Sequence, residues 1–253
     1  MKSGPVIVTT SWDDGHPLDR KLAERLARHG MRGTFYAPLN IEGRAVDVRE
    51  FAKPLEAAGM EIGAHTLTHP VLTSLGEPEV RRELRDGKDG LEQILGRRVV
   101  SFCYPKGRHN RRIAAMAREA GYELARTTVS LRTDFDFDPF RMPVSLQVCP
   151  QPASAIVTHA LRESNWRGLL RWYRAGSART DLLLLVRTLF RQIRKTGGIL
   201  HIWGHSWELE AHGYWETLDQ ILSEVSGAAD VAYLTNSQAL SLIRRATPIR
   251  WQH

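Results

Sequence analysis

The sequence predicts a single α/β domain built on a parallel β-sheet or barrel. Apolar, β-branched runs that end in polar turns alternate with segments whose leucines recur at helical spacing. Such alternation is typical of β-α-β units, which place successive strands parallel to one another. A chain of 253 residues is long enough for one such domain. It contains no internal repeat and no low-complexity linker.

The first half of the chain carries the clearest alternation. The predicted strands cover residues 5–10, 33–38, 61–64, 98–105 and 122–127. The predicted helices lie between them, around the leucines of 18–26 and over residues 48–58, 78–95 and 110–119. Each helix is followed by a glycine that can end it: Gly30, Gly59, Gly96 and Gly121.

The second half is less regular. We expect loops with short extended pieces over residues 129–152, where the alternation is lost. The later elements are predicted as helices at 153–173 and 179–195, a strand at 198–203, a helix at 214–225, a strand at 231–235 and a helix at 237–245. The whole chain, 1–253, is therefore interpreted as one domain with a basic helical insertion around 153–195.

The net charge of +7 comes from one segment. Residues 160–195 contain nine basic and two acidic side chains, a difference of seven. This segment is either a docked helix with a solvated basic face or an approach surface for an anionic membrane or a lipid-linked sugar. Trp166, Trp172 and Tyr173 among the arginines are typical of interfacial binding. Nucleic-acid binding is not favoured, because no recognisable module accompanies the charge.

The sequence also bears on the compartment. Its two cysteines, Cys103 and Cys149, form no disulfide framework, which agrees with a reducing environment. No leader peptide and no apolar run of bilayer length is present. We therefore expect a cytoplasmic protein.

Polar side chains follow two of the predicted strands. Asp13 and Asp14 come after the first strand, and His65 and His69 come after the third. One carboxylate and two imidazoles would form a three-ligand metal site with an open position, the catalytic form of a zinc site. The histidines are four residues apart, so a helical turn would place both rings on one face. Taken alone, either pair could instead be a capped turn or a pair of surface histidines.

These two segments resemble the first two motifs of the polysaccharide deacetylases, carbohydrate esterase family 4 or the NodB homology domain. The matching residues are 12–15, Trp-Asp-Asp-Gly, and 65–70, His-Thr-Leu-Thr-His-Pro. The resemblance runs from about Val6 to about Thr235. It implies a distorted (β/α)-barrel and an enzyme that removes an N-acetyl group from an amino sugar with the help of a metal.

The resemblance also implies roles for these residues. Asp14, His65 and His69 would hold the metal, and Asp13 would act as the general base. Zinc is the first choice for this donor set, and cobalt, nickel or iron would fit the same ligands.

The general acid would come from the late strand. His205 is favoured over His201, because it follows Gly204 at the strand end, whereas His201 lies deeper and is interpreted as a core histidine. Trp203 and Trp207 are candidate walls of a substrate pocket, although tryptophans near a strand end commonly serve only in packing.

The third family motif is matched only in part by residues 102–107. Cys103 stands where the family has arginine, and Lys106 stands where it has tyrosine. The backbone N–H of Lys106 could still donate to a developing oxyanion, since that role needs no particular side chain. The lost arginine normally orients the base, and we expect Arg126 or Arg141 to replace it.

Other interpretations remain open. Asp134, Asp136 or Asp138 could orient the acid histidine, but a solvent-edged loop is favoured for that segment. The same metal site could hydrolyse a non-sugar amide. The chain could also be a catalytically inactive carbohydrate-binding module, although its intact candidate ligands argue against this.

Overall fold

The computed structural model describes residues 4–149, 153–163, 165–174 and 181–246. The strands in these residues are β1 Val6–Asp13, β2 Gly33–Ala37, β3 Asn40–Ile41, β4 Arg44–Ala45, β5 Glu61–Ala64, β6 Ser101–Cys103, β7 Leu124–Arg126, β8 Leu146–Gln147, β9 Gly198–Gly204 and β10 Ala232–Tyr233. The helices are α1 Asp19–Arg28, α2 Val48–Ala57, α3 Glu77–Leu95, α4 Arg111–Glu119, α5 Ala153–Arg162, α6 Trp166–Arg174, α7 Leu182–Thr196, α8 Ser206–Ala211, α9 Trp215–Val225 and α10 Asn236–Ala246.

The main sheet is parallel, as predicted. Its order is β7-β6-β5-β2-β1-β9-β8, and β10 pairs with the first half of β1. The separate β3–β4 pair is an antiparallel hairpin. Because all the described pairings of the main sheet are parallel, the carboxyl ends of its strands meet at one edge.

Strand β1 lies at the centre of this sheet and of the core. All eight of its residues are buried, because the strand is covered on both faces. It pairs with β2 from Thr10 to Asp13 and with β9 from Val6 to Trp12. The strand predicted to end at Thr10 therefore continues to Asp13, which places that carboxylate at the edge of the sheet.

Several elements differ from the prediction. The helix expected over 153–173 is two helices, because Asn165 accepts a hydrogen bond from the N–H of Gly168 at 3.0 Å and so caps the start of α6. Helix α8 and the β3–β4 hairpin were not predicted, and the strand expected at 98–105 shortens to β6. Within 153–195 most of the described residues are helical, and the insertion itself stays a prediction. None of the described helices combines the length and apolar character required to cross a bilayer.

Candidate metal centre and active site

The two candidate motifs meet at the carboxyl edge of the sheet. Asp13 ends β1, and His65 follows β5, which lies two strands away across β2. The segment from His65 to His69 is a loop and not the helical turn that we expected. Its backbone turns through left-handed conformations at Thr66, φ 71°, and His69, φ 60°, and Asp14 has φ 82°. Such conformations in non-glycine residues cluster at functional sites.

Helix α3 holds this histidine loop in place. The buried carboxylate of Glu83 accepts hydrogen bonds from the N–H groups of Leu67, at 3.0 Å, and Thr68, at 2.8 Å. It also accepts one from the Thr68 hydroxyl at 2.8 Å. Gly87 allows the close approach of the helix, since an added Cβ would lie 2.6 Å from the carbonyl carbon of Thr66.

Three ligand atoms converge as a metal site requires. Asp14 Oδ1 lies 3.7 Å from His65 Nε2 and 3.5 Å from His69 Nε2, and the two nitrogens are 3.2 Å apart. Tetrahedral ligands bound at 2.0–2.1 Å would be separated by about 3.3 Å. The Nδ1 of His65 lies 2.8 Å from the carbonyl of Cys103, which can only accept, so Nδ1 carries the proton and Nε2 is free to bind. The donor set therefore fits a divalent metal.

The charge states of these groups suit metal binding. Burial lowers the pKa of His65, and burial together with the neighbouring His65 lowers the pKa of His69 to about 4. Both rings are therefore neutral near pH 7. The indole N–H of Trp207 donates to Asp14 Oδ2 at 2.9 Å, which leaves Oδ1 directed at the two histidines.

Asp13 is buried against Arg126. The guanidinium Nη2 donates to Asp13 Oδ1, and the Sγ of Cys103 lies 3.7 Å from Oδ2. Burial alone would raise the pKa of Asp13, but the charge of Arg126, followed by His65 and His205, lowers it. Cys103 and Arg126 are partners in the β6–β7 register. The cation thus lies on the strand next to the one that carries it in the family motif.

The guanidinium of Arg126 is fully buried in an unusual setting. Its Nε and Nη1 have no hydrogen-bond partner among the described groups. The Cζ atom of Arg126 lies 4.8 Å from the ring centroid of Trp203 and 5.5 Å from that of Tyr36. Cation–π contacts with these rings offset part of the cost of the missing hydrogen bonds. Trp203 therefore supports Arg126 as well as lining the cleft.

His205 is held by a carboxylate that the sequence analysis missed. Its Nδ1 donates to Glu208 Oε2 at 2.7 Å, and its Nε2 lies 3.9 Å from Asp14 Oδ2. Burial would lower the pKa of His205, but the hydrogen bond to Glu208 and the charges of Asp13 and Asp14 raise it. The predicted alternatives lie elsewhere: Asp134 pairs with Arg132, and Asp138 accepts from the N–H of Phe140.

His201 is a core histidine, as the favoured interpretation had it. It is fully buried, its Nδ1 donates to the carbonyl of Pro143 at 3.0 Å, and its Nε2 accepts from the Ser11 hydroxyl at 2.8 Å. Burial, followed by the charge of Arg126, lowers the pKa of His201 to about 3. The ring is therefore neutral, and both of its nitrogens are used.

A cleft of about 1650 Å³ opens over these groups. Its lining includes the following candidate residues: Asp13, Asp14, His65, His69, Lys106, Trp203, His205 and Trp207. Lys106 lies in the turn after β6, with φ 54°. Arg141 was wrongly expected near the base. It is exposed and lines a second, separate cleft, because the β7 register places Arg126 beside Asp13 instead.

Three residues near the site were not predicted from the sequence, and only one of them carries a local sequence signal for its contact. Glu208 stands three residues after His205, a helical spacing that could have suggested the contact once α8 was recognised. Glu83 gave no such signal, because it acts on a loop that lies 15 residues away. Asp19, which is fully buried near Asp13 and Asp14, looked like an ordinary helix start.

Fold and donor set define an α/β protein with a three-ligand metal candidate at the carboxyl edge of a parallel sheet. The family model described as Polysaccharide deacetylase matches residues 2–125. This region of the chain therefore belongs to the polysaccharide deacetylase family, and the predicted resemblance is confirmed. A chitin deacetylase of Arthroderma benhamiae is 23% identical over 143 residues, 55% of this chain. The chain spans only 34% and 38% of the lengths of the curated relatives that it matches.

Solved structures confirm the predicted barrel-like fold. A protein of Mycobacterium smegmatis, provisionally assigned as a polysaccharide deacetylase, aligns with a TM-score of 0.66 at 19% identity and covers 100% of this chain and 96% of its own. A CE4 family pseudoenzyme from Bacillus anthracis aligns with a TM-score of 0.53 at 17% identity, over 87% of this chain and 60% of its own. At these identities the similarity concerns the fold.

Proposed function

We propose that this chain is a metal-dependent hydrolase that removes the N-acetyl group from an amino sugar. The observation that carries the proposal is the convergence of Asp14, His65 and His69 ligand atoms within 3.7 Å, beside Asp13 and within reach of His205. A metal donor set flanked by one ionised carboxylate and one protonatable imidazole suits amide hydrolysis. Membership of the deacetylase family supports the same reaction class.

The residues at the site fit a divalent metal, with zinc as the first choice and cobalt, nickel or iron as alternatives. Asp14, His65 and His69 would hold it. When bound, the metal would polarise the acetamide carbonyl and lower the pKa of a bound water. The rigid loop and the Trp207 hydrogen bond keep the three ligand groups in place before the metal arrives.

Asp13 would accept the proton of the attacking water. Its lowered pKa keeps it ionised at neutral pH, as a general base must be. Arg126 would fix the orientation of this carboxylate through the buried ion pair. In this proposal it takes the place of the family's arginine, from the strand next to the usual one.

His205 would donate a proton to the departing amine. The hydrogen bond from its Nδ1 to Glu208 orients the ring and favours the protonated form. The backbone N–H of Lys106 is proposed as an oxyanion donor, and Trp203 and Trp207 as walls for the acetyl group or sugar. The cleft exceeds the volume typical of small-ligand sites, which suits an oligosaccharide or a linked sugar.

The first experiment measures metal content and acetate release together. Wild-type and Asp13→Asn proteins are offered chitin oligomers, peptidoglycan fragments, and nucleotide- and lipid-linked N-acetyl sugars. Asp13→Asn removes the proposed base but none of the proposed ligands. We expect both proteins to bind metal and only the wild type to release acetate. A His65→Gln variant, which lacks one ligand, should lose the metal.

Other results would select another function. Metal binding without acetate release from any sugar would favour hydrolysis of a non-sugar amide. A protein that binds sugars but neither binds metal nor hydrolyses them would be an inactive carbohydrate-binding module; one solved structure with this fold is described as a pseudoenzyme. Failure to bind any divalent metal would refute the central assignment.

A further inference from the structure

Large exposed hydrophobic side chains are concentrated in one short segment. Of the five in the described part of the chain, four lie between residues 161 and 173, and the fifth, Trp207, lines the cleft. The four are 45–68% exposed. We call them the hairpin patch, after the two consecutive helices α5 and α6 that carry them: Leu161, Trp166, Leu170 and Tyr173. Apolar surface gathered in this way marks an interaction site.

Helix α6 has one broad apolar face, of which only part is covered by the protein. Gly168, Leu169 and Trp172 face the protein and are buried or half-buried. Trp166, Leu170 and Tyr173 recur at i, i+4 and i+7 and form the exposed part, a stripe that faces outward. The exposed part of this apolar face makes no use of the contacts that dock the helix and is available to a partner.

Arginines flank the outward stripe on one side. Arg167 follows Trp166 and Arg174 follows Tyr173 in the chain, so both lie on the same flank, and both are exposed. Arg167 lies 4.0 Å from Asp136, but both side chains are more than four-fifths exposed, and such a pair holds an arginine only weakly. The outer surface of α6 is thus apolar at its centre and basic along one edge.

Of the basic segment 160–195, helix α6 is the part that fits the predicted approach surface. Helix α7 is docked by buried apolar residues, and two of its three arginines pair with acidic neighbours. Arg187 binds Glu224 at 2.7 Å and Arg194 binds Asp230 at 2.9 Å. These ion pairs balance part of the positive charge of α7, whereas the arginines of α6 border exposed apolar surface.

The hairpin patch is continuous with the mouth of the cleft. Ser154 and Thr158 of α5 line the cleft, and Leu161 lies on the same helical face, about 10 Å along the axis from Ser154 and about 4.5 Å from Thr158. The Asn165 side chain ties the start of α6 to the carbonyl of Ser130, another cleft residue, at 2.6 Å. Whatever covers the patch therefore lies beside the entrance to the active site.

We propose that the hairpin patch, with Arg167 and Arg174, binds the surface of an anionic lipid bilayer. Tryptophan and tyrosine favour the interfacial region of a bilayer, and arginines beside them are attracted to anionic headgroups. A second copy of this chain fits less well, because in an isologous contact the hairpin patch would meet itself and offer the arginines no acidic partner. If the proposed function holds, membrane binding would present a lipid-linked amino sugar to the cleft; this part of the inference rests on that function.

The test measures binding of the full chain to vesicles by flotation, with phosphatidylcholine alone and with added phosphatidylglycerol. We expect the wild type to bind the anionic vesicles and the Trp166→Ser/Tyr173→Ser variant to lose that binding. Arg167→Glu/Arg174→Glu should partition at least about thirty-fold less, since each lost arginine removes about five-fold near an anionic surface and each added glutamate is repelled by it. The matched control, Arg28→Glu/Arg85→Glu, makes the same charge change on exposed residues of α1 and α3 and should bind nearly as the wild type does.

The outcomes separate this proposal from the proposed function. Far-ultraviolet circular dichroism and acetate release from a soluble substrate report folding and catalysis without a membrane. Vesicle binding lost equally in the control variant would reduce the effect to net charge and overturn the proposal. Absence of wild-type binding would also overturn it, as would concentration-dependent self-association that the Trp166→Ser/Tyr173→Ser variant abolishes.

Discussion

Arg126 and Cys103 face the same carboxylate from neighbouring strands. Because they are partners in the β6–β7 register, an arginine at either of these two positions could reach Asp13. We expect Arg126→Ala to cost about 3–5 kcal/mol of unfolding free energy, since it leaves the buried charge of Asp13 without its cation. The pKa of Asp13 should rise, and the acidic limb of the kcat/KM profile against pH should move to higher pH.

The double variant Cys103→Arg/Arg126→Ala makes this prediction sharper. It returns the arginine to the strand that carries it in the family motif, and part of the lost stability and activity should return. Arg141→Ala is the control, because Arg141 is exposed and lies in the other cleft. If Arg126→Ala keeps the turnover of the wild type, Arg126 has no role in the proposed active site.

Glu208 and His205 form the second residue-scale test. His205→Gln removes the proposed acid and should lower kcat by about 10²–10⁴-fold. Glu208→Gln should act more mildly: with its carboxylate gone, the pKa of His205 falls and the basic limb of the kcat profile moves to lower pH. Glu210→Gln, on the exposed side of the same helix, should leave the profile unchanged. An unmoved basic limb in Glu208→Gln would show that Glu208 does not tune the acid.

At the scale of single residues, the sequence predicts those positions that depend only on neighbouring residues in the chain. The positions of Asp13, Asp14, His65 and His69 follow from their places after apolar strands, because parallel strands bring their carboxyl ends together. The choice between Arg126 and Arg141 depends on the β6–β7 register and on the path after β7, which a single sequence does not encode locally. That choice required the structure.

Among the elements, α3 shows how a helix can shape a site that it does not enter. Replacing a helical glycine by alanine usually stabilises by about 1 kcal/mol. Gly87→Ala should instead destabilise the protein and weaken metal binding, because its Cβ would lie 2.6 and 2.8 Å from backbone atoms of Thr66 and Leu67. A chelator competition titration measures the affinity, and thermal unfolding measures the stability.

Gly90→Ala provides the matched control in the same helix. Its Cβ would meet only the end of the flexible Leu39 side chain, which can rotate away. We expect this variant to keep its metal affinity. Equal behaviour of the two variants would mean that the histidine loop does not depend on the close approach of α3.

Element prediction from the sequence succeeded where a pattern ended in a clear turn signal. Strand β5 and helix α3 were placed nearly to the residue, because each has a clear pattern and a turn signal at its end. Helix α8, of six residues, is too short to show a period. The break before α6 depends on the cap at Asn165, which a run of helix-forming residues conceals.

Across the whole molecule, the site unites the two ends of the chain. Strand β1 pairs with β9, and Asp19 at the start of α1 accepts a hydrogen bond from Ser206 of α8 at 2.6 Å. Asp19 Oδ2 has no hydrogen-bond partner among the described groups. The contact positions α8, which carries Trp207 and Glu208. Residues 2–125, which match the family model, therefore depend on residues 198–208 to complete the site.

This junction predicts a pH-dependent stability. Burial, together with the charges of Asp14 and Asp13, raises the pKa of Asp19 to about 8 despite the hydrogen bond from Ser206. Between the ordinary value of 3.8 and about 8, the folded chain holds a proton that the unfolded chain has released. Asp19 therefore lowers the unfolding free energy as pH rises through this window, by up to about 1.4 kcal/mol per pH unit. The histidines His65, His69 and His201, whose pKa values burial lowers from 6.5, act in the opposite direction below pH 6.5, so the contribution of Asp19 is measured against a variant. The lowered pKa of Asp13 acts only below this window.

Asp19→Asn tests this directly, because the amide cannot ionise. Urea unfolding of the metal-free protein across the window should show the wild type losing stability relative to Asp19→Asn as pH rises, so that Asp19→Asn is the more stable protein toward the upper end. Asp89→Asn, an exposed change on α3, should follow the wild-type curve. Parallel curves for wild type and Asp19→Asn would mean that Asp19 is ionised in the folded protein. The junction between α1 and α8 would then be held by a charged hydrogen bond, which protonation of Asp19 on acidification would weaken.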